Sequence, residues 1–483
     1  MAYNNLQDFI NEIDGAGELM RVRAQVSANL EITEIVSRII RSRRPSKAIL
    51  FENVQGSRIP LLVNALGSEK RMLISLGSQS YEEISGRVEK LLRPTGPETF
   101  MDKIKKIPEH MASNIWPREV KSALCQEVVK TGEQVNLGEL PLLKCWPSDG
   151  GRYITCGATV TMDPQTQVRN VGMYRFMVLD ENSAAVHWHV QADAARHCAK
   201  YKELDRPMPV AIVLGDDPAV TYAASAPLPH DFDELVFASF LRKAPVDVVR
   251  CKTIDMLVPA NAEIVIEGMV NPNDLVTEGP FGDSTGYYSP AARSPRFEVR
   301  AITHRKNPIC PATITGAGPM EDYYIGQMTE RIFLPIVRAV APEVVDYHLP
   351  EYGAGHNFAF VSIKKQYALQ ARKVMHALWG LGQMMLGKFI VIVDEDIDVH
   401  NTSDVLFRMG ANVDPRRDVV TVDGPVDARD HAAPYIGAGS KMGIDATAKI
   451  EGEGVVRPWP AAVKMDAQIQ ALVEMNWKNY GIS

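Results

Sequence analysis

Val276-Thr-Glu-Gly-Pro-Phe-Gly-Asp-Ser-Thr-Gly-Tyr-Tyr288 places two carboxylates, Glu278 and Asp283, on either side of a Gly-Pro-Phe-Gly core. Glycines at 279, 282 and 286 predict a backbone held in turns rather than in a helix or strand. Two acids pinned close together on a tight loop suit acid/base chemistry. Like charges brought near one another cannot both ionise cheaply, so one is pushed toward keeping a proton near neutral pH while a nearby cation keeps the other ionised. Spacing alone is more often an ordinary surface turn carrying two solvated acids.

Outward from this loop, Asn170-Val-Gly-Met-Tyr-Arg175 ends in a guanidinium at the predicted start of a strand. Arginine is always charged and grips a carboxylate through two parallel hydrogen bonds, so Arg175 can orient an acid substrate or hold Glu278 ionised. A second constellation is Asn170, His187-Trp188-His189 and Glu234. Hard cations take oxygen ligands and Mn²⁺ accepts imidazole as well, so these groups can bridge a divalent ion to a phosphate ester. Taken singly, such residues are more often surface ion-pair partners or structural groups.

The stretch E-G-P-F-G-D-S-T-G-Y-Y resembles the signature of UbiD-type decarboxylases, and the likeness spans nearly the whole chain. The segment 170–175 is similar to that family's N-x-G-x-Y-R motif. Asp394-Glu-Asp-Ile-Asp398 and Gly439-Ser-Lys-Met-Gly-Ile-Asp-Ala-Thr447 match as well. The resemblance implies reversible, non-oxidative decarboxylation of an aromatic, heteroaromatic or α,β-unsaturated carboxylic acid through a covalent adduct with prenylated FMN. It implies that Arg175 and Glu278 pair beside the flavin and that Asp283 protonates the product carbon. Some relatives carry Glu where Asp283 stands.

The same resemblance assigns Asn170 and Glu234 to a divalent ion, Mn²⁺ or another, that clamps the flavin phosphate, with His189 as the third ligand. An ungapped count to the histidine of some relatives lands instead on Asp193, flanked by His189 and His197. Met173, Tyr174, Arg175, His187, Trp188, His189, Ala192 and Asp193 are the expected contacts to the cofactor. The carbonyls of Ala224 and Ala226 resemble a monovalent-cation site, taken as K⁺, beside Glu234. Ile325 and Met328 are expected on the substrate wall, with Tyr323 or Tyr324 placed to bond a phenolic hydroxyl. A flavin prenyltransferase is the implied supplier of the cofactor. The rival readings are an ordinary FMN-dependent oxidoreductase and a non-catalytic subunit of a larger carboxylase complex.

The elements around the motifs divide the chain into three units. Residues 1–112 read as an N-terminal α/β domain, with helices over Leu6–Ile13 and Glu31–Ile40 and strands at 48–51 and 60–63. A polar linker follows from Arg93 to about Glu109. Residues 113–319 carry strands at 154–162, 175–179, 210–214, 246–251, 262–270 and 297–303, with helices near 193–204 and 232–241 between them. So many short strands suggest a closed or partly closed barrel. The resemblance makes it a split β-barrel like that of flavin reductases. Residues 320–483 alternate helix and strand again, including a helix over Gln366–Gly382 and a continuously apolar strand at 389–393. In the family this third α/β unit mediates self-association, so a homo-oligomer, dimer or hexamer, is expected.

Composition narrows the partners. A formal charge of −7 leaves no face-wide basic excess for nucleic acid, and the cluster Lys103 to Lys106 is read as a solvated face. Six scattered cysteines form no C-x-x-C pair, which disfavours a disulfide framework or a thiolate zinc site. No apolar run approaches the roughly 18 to 20 residues that span a bilayer. The start of the chain lacks a basic and then apolar leader, so a cytoplasmic protein with no membrane role is expected.

Overall fold

The computed structural model describes residues 3–42, 46–92, 116–355 and 357–481. The linker read over 93–109, the cluster Lys103 to Lys106 and the boundary at 112/113 lie outside the described residues.

The N-terminal helices form where the apolar stripes predict them. Leu6–Gly15 buries Leu6, Phe9, Ile10 and Ile13, and its first turn is capped by Asn5, whose side chain accepts from the Gln7 and Asp8 amides. Glu31–Ser42 buries Ile32, Val36 and Ile40. Between them Leu19–Val22 pairs parallel with Ala48–Phe51, which pairs antiparallel with Leu61–Val63. The fourth strand of this sheet is Cys310–Ala312, parallel to Leu61–Val63. The chain therefore returns from the central unit to complete the first sheet, and the N-terminal core is not closed by residues before 113 alone.

The central unit is a closed barrel of six strands, β1 (Tyr153–Met162), β2 (Arg169–Val178), β3 (Ser183–His187), β4 (Met208–Leu214), β5 (Ile264–Glu278) and β6 (Ala292–His304). The order β5-β4-β1-β2-β3-β6 is closed by antiparallel pairing of β5 with β6, which removes the free sheet edges. Val128–Thr131 adds outside β6.

Three differences from the sequence expectation bear on the site. First, residues 246–251 are not a barrel stave: Asp247–Arg250 joins Leu257–Pro259 and Arg118–Glu119 in a separate small sheet. Its place in the barrel is taken by β3, whose Ser-Ala-Ala-Val-His sequence has little of the branched and aromatic content that marks a strand. Second, β2 begins at Arg169, so Arg175 lies well inside a paired strand rather than at its start. Third, β5 continues through Asn271-Pro-Asn-Asp274 as an irregularity in its register with β6. The sequence reading ends this strand at 270, but the strand resumes and ends at Glu278.

After the barrel, the helix Glu321–Val340 packs on the N-terminal helices Glu69–Ser75 and Tyr81–Leu92. It leads into a five-stranded sheet in the order Val344–His348, Phe358–Ile363, Phe389–Asp394, Ala438–Asp445, Val419–Pro425. Phe389–Asp394 is the buried centre, and Gln370–Trp379 covers one face with Ala371, Val374, Met375, Leu378 and Trp379. Among the described residues no helix is long and apolar enough to cross a membrane.

Candidate active site

A cavity of about 240 Å³ opens where the barrel, the N-terminal unit and the C-terminal unit meet; Leu66, Arg175, His187, Asp283, Ile325 and Arg429 all face it. The barrel register creates its charged wall. Arg175 on β2 lies directly opposite His187 on β3, and the end of β5 delivers Glu278 to both.

Glu278 is fully buried and completely engaged. Arg175 donates to it through Nε at 3.0 Å and Nη2 at 3.2 Å, the two-toothed geometry that arginine's planar fork favours. His187 Nδ1 is 3.0 Å from the second oxygen, and the Tyr153 hydroxyl donates to the first at 3.1 Å. Burial by itself raises a carboxyl pKa, but the hydrogen bonds and charge from His187 and Arg175 outweigh it and pull Glu278 down to about 2. Glu278 is therefore an anion at any working pH.

Asp283 sits in the loop of a short hairpin rather than in an open turn, since Phe281–Gly282 pairs with Tyr288–Ser289. Glycine is required at 282 because the strand lies against the Trp146 indole; a Cβ there falls 2.1 Å from Trp146 Cδ1. At 279 the requirement is conformational, with φ at +93°. Asp283 is nearly buried. Its Oδ1 accepts from the Ser284 amide at 2.8 Å, and its Oδ2 accepts from Ser289 Oγ at 2.9 Å and lies 3.4 Å from Arg175 Nη1. One guanidinium thus serves both carboxylates, and it sits 4.5 Å over the Phe281 ring.

The second constellation lies at the start of β2. Glu234, the first residue of the helix Glu234–Arg242, accepts from the Val171 amide at 2.6 Å, one residue beyond Asn170. Asn170 uses its amide to donate to Thr161 Oγ1 at 3.2 Å, which leaves Oδ1 as the donor atom for an ion. Burial raises the pKa of Glu234 well above its ordinary value, only partly offset by backbone amides, and the charges of Asp233 and Asp193 add to the rise. Among the described residues no cationic side chain pairs with Glu234. A buried carboxylate answered only by amides fits a site for a cation.

The remaining predicted residues are spread around these two centres. Met173 lines the cavity, and its amide donates to the Ala224 carbonyl at 2.9 Å. The Ala226 carbonyl accepts from the Leu228 amide at 2.8 Å, so each of these two carbonyls keeps one lone pair for an ion. Tyr174 meets Trp188 edge to face at 6.1 Å. Ala192 precedes the helix Asp193–Glu203, whose Ala194 amide donates to the Tyr174 hydroxyl at 3.4 Å. Asp193 accepts from Arg196 at 2.5 Å and from His230 Nδ1 at 2.7 Å. His197 is bonded to Thr161 Oγ1 at 3.0 Å inside the fold.

His189 lines the cavity, edge-on to His187 at 5.4 Å; burial and the nearby Arg429 push its pKa down to about 4. One expectation is corrected. Met328 does not line the cavity. It is fully buried in the core with Ile332, whereas Ile325, one turn earlier, does face the cavity. The Tyr323 hydroxyl takes a hydrogen bond from Gln327 at 2.7 Å.

The sequence reading missed Arg429. It reaches the cavity from the stretch between Val419–Pro425 and Ala438–Asp445, held by both oxygens of Asp427 at 2.9 and 2.6 Å. Its Nη1 donates to Ser284 Oγ at 3.2 Å, beside Asp283, and the neighbouring His431 ring lies 4.1 Å from that of Tyr287. The C-terminal unit thus touches the hairpin that carries Asp283. Only the tertiary return of the chain reveals the place of Arg429.

Comparison with known proteins agrees with this arrangement along the whole chain. Residues 118–318 match the UbiD 3-octaprenyl-4-hydroxybenzoate carboxy-lyase Rift-related domain, with the N-terminal domain of the same family matched over 10–108 and its C-terminal domain over 323–446. An uncharacterized protein of Aquifex aeolicus is 48% identical over 99% of both chains. The closed form of vanillic acid decarboxylase from Sedimentibacter hydroxybenzoicus superposes with a TM-score of 0.88 at 28% identity, covering 99% of each chain. An evolved dimeric form of the UbiD-class enzyme HmfF from Pelotomaculum thermopropionicum, in complex with prFMN, gives 0.78 at 28% identity over 94% of this chain and 97% of that one.

Proposed function

Because the chain belongs to the UbiD carboxy-lyase family, we propose that it is a prenylated-FMN-dependent decarboxylase of an aromatic, heteroaromatic or α,β-unsaturated carboxylic acid. The observation that carries this reading is the single guanidinium of Arg175 bonded to both Glu278 and Asp283 at the wall of a cavity.

Each group has a separable task. Glu278, held anionic, fixes Arg175 and His187 in place. Arg175 and Arg429 face the cavity and orient a substrate carboxylate by hydrogen bonding. Asp283, anchored by Ser289 and the Ser284 amide, is the group that delivers a proton to the product carbon. Ile325 supplies an apolar wall. Bound in this cavity, prenylated FMN supplies the electron sink that loss of CO₂ from an sp² carbon requires. Met173, Tyr174, His187, Trp188, His189 and the Ala192–Asp193 backbone border its place.

The divalent ion, Mn²⁺ in kind, is assigned to Asn170 Oδ1 and Glu234, with His189 or Asp193 as the third ligand. The second lone pairs of the Ala224 and Ala226 carbonyls suit K⁺. A homo-oligomer is supported by the exposed apolar face of the terminal helix Ala467–Asn476, where Leu472 and Met475 meet solvent together with the following Trp477. Light scattering on the purified protein tests that state.

The function is tested by co-producing the protein with a flavin prenyltransferase and assaying a panel of aromatic, heteroaromatic and acrylic acids. Release of CO₂ from at least one, absent when the prenyltransferase is omitted, is the expected result. A coloured, flavin-loaded protein that releases CO₂ from none and instead turns over a nicotinamide substrate establishes the oxidoreductase reading.

A further inference from the structure

Away from the cavity, the helix Glu321–Val340 and the strand Val344–His348 bring a second set of ligand-bearing side chains together with His400, which lies beyond Phe389–Asp394. Glu330 and His348 are both buried, and His348 Nδ1 lies 3.1 and 3.2 Å from the two Glu330 oxygens. The His400 ring faces that of His348 with centroids 4.5 Å apart, and its Nε2 is 3.1 Å from Asp346 Oδ2. One donor atom from each of Glu330, His348 and His400 falls within 4.8 Å of the others. Among the described residues no other three His, Cys, Asp or Glu side chains converge in this way.

The chemistry of the set is specific. Two imidazoles and a carboxylate suit Zn²⁺ and the neighbouring first-row ions. His348 Nδ1 and Glu330 already stand at a donor–donor distance, while His400 has Nε2 on Asp346 and, among the described residues, no hydrogen bond engages its other nitrogen. A carboxylate that orients an imidazole by one nitrogen and leaves the other for a metal is the usual support of a histidine ligand. The charge also fits: Glu330 and Asp346 are opposed by one cation, Arg331, whose Nη1 donates to Asp346 at 2.7 Å and whose Nε lies 3.5 Å from Glu330. With neutral imidazoles the cluster carries one net negative charge. Donors around a tetrahedral ion with bonds of about 2.0 to 2.1 Å sit about 3.3 Å apart, so the site must tighten. His400 can move to do so, since its side chain is 39% exposed. Without an ion, the same residues are a pair of histidine–carboxylate contacts joining the helix to the sheet.

We propose that Glu330, His348 and His400 bind a divalent transition-metal ion, with Asp346 orienting His400, and that the ion staples the helix bearing Ile325 to the C-terminal sheet. None of these residues belongs to β2 or to the helix Glu234–Arg242, so this ion is separate from the one assigned to Asn170 and Glu234. The test is zinc content by mass spectrometry on the flavin-loaded protein, equilibrated with zinc chloride at about 10 µM and then desalted, together with the melting midpoint as a function of zinc. The parent is expected to retain about one zinc per chain and to melt higher as zinc is added. His400→Ala, at a partly exposed position, is expected to lose that zinc and the zinc-dependent shift while keeping its flavin content; Glu330→Gln should do the same. A parent that retains no zinc, or a His400→Ala variant that retains as much as the parent, overturns the proposal.

Discussion

Glu278 and Glu234 are the same residue type, both nearly without solvent exposure, yet their carboxyls are driven in opposite directions. Glu278 falls to about 2 and Glu234 rises well above its ordinary value. Burial pushes both up. The difference lies in the partners: a guanidinium, an imidazole and a phenol surround Glu278, while Glu234 meets backbone amides and the like charges of Asp233 and Asp193. The first site is electrostatically complete in the protein alone. The second is balanced by a proton or by a bound cation, which is the physical ground for proposing an ion there.

The largest effect comes from breaking the complete site. Arg175→Ala leaves Glu278 buried with its main counter-charge gone, which costs about 3 to 5 kcal/mol of stability, and it removes the group shared with Asp283. Chemical denaturation should show that loss, and decarboxylation should fall by roughly 10³-fold or more. Breaking the incomplete site should act differently. Glu234→Gln relieves the buried charge, so folding should be preserved, while retention of flavin and divalent ion should drop about 10- to 100-fold. Flavin absorbance and metal content per chain read this out; undiminished values remove the ion from Glu234.

The contrast also predicts a pH dependence. A carboxyl lowered from 4.5 to about 2 on folding contributes stability that is present above its unfolded value and lost as pH falls toward 2. The magnitude is about 3 kcal/mol. Denaturation of the parent and of Glu278→Gln, compared between pH 5 and 2, should show that the variant lacks this increment. The smallest effect is at the edge of the complete site. Ser289→Ala removes the hydroxyl bonded to Asp283 Oδ2, a change of about 1 kcal/mol, and should lower the rate about fivefold without altering flavin content.

Much of this arrangement is legible in the sequence because it rests on local chemistry. Glycines at 279 and 282 mark places where a side chain is excluded, and the spacing of Glu278 and Asp283 follows from the hairpin they permit. The N-terminal helices and the buried strand at 389–394 follow from apolar periodicity. What escaped depends on tertiary return. The strand Ser183–His187 has small residues of low strand preference and is held by pairing on both sides. Arg429 gives no signal because its own neighbour Asp427 satisfies it locally. Met328 shares a helical stripe with Ile325, but one turn deeper the stripe leaves the cavity and enters the core.

The central claim is that Asp283 delivers the proton in a decarboxylation supported by Arg175 and Glu278. It is tested most directly by running the reaction of the flavin-loaded protein in deuterium oxide with the parent and with Asp283→Asn, which keeps size and hydrogen bonding but cannot give up a proton. The account predicts deuterium at the former carboxyl carbon in the parent, a rate reduced about 10² to 10⁴-fold in the variant, and equal flavin content in both. A variant that turns over within about twofold of the parent, or that incorporates deuterium at the parental rate, contradicts it and passes the proton to another group.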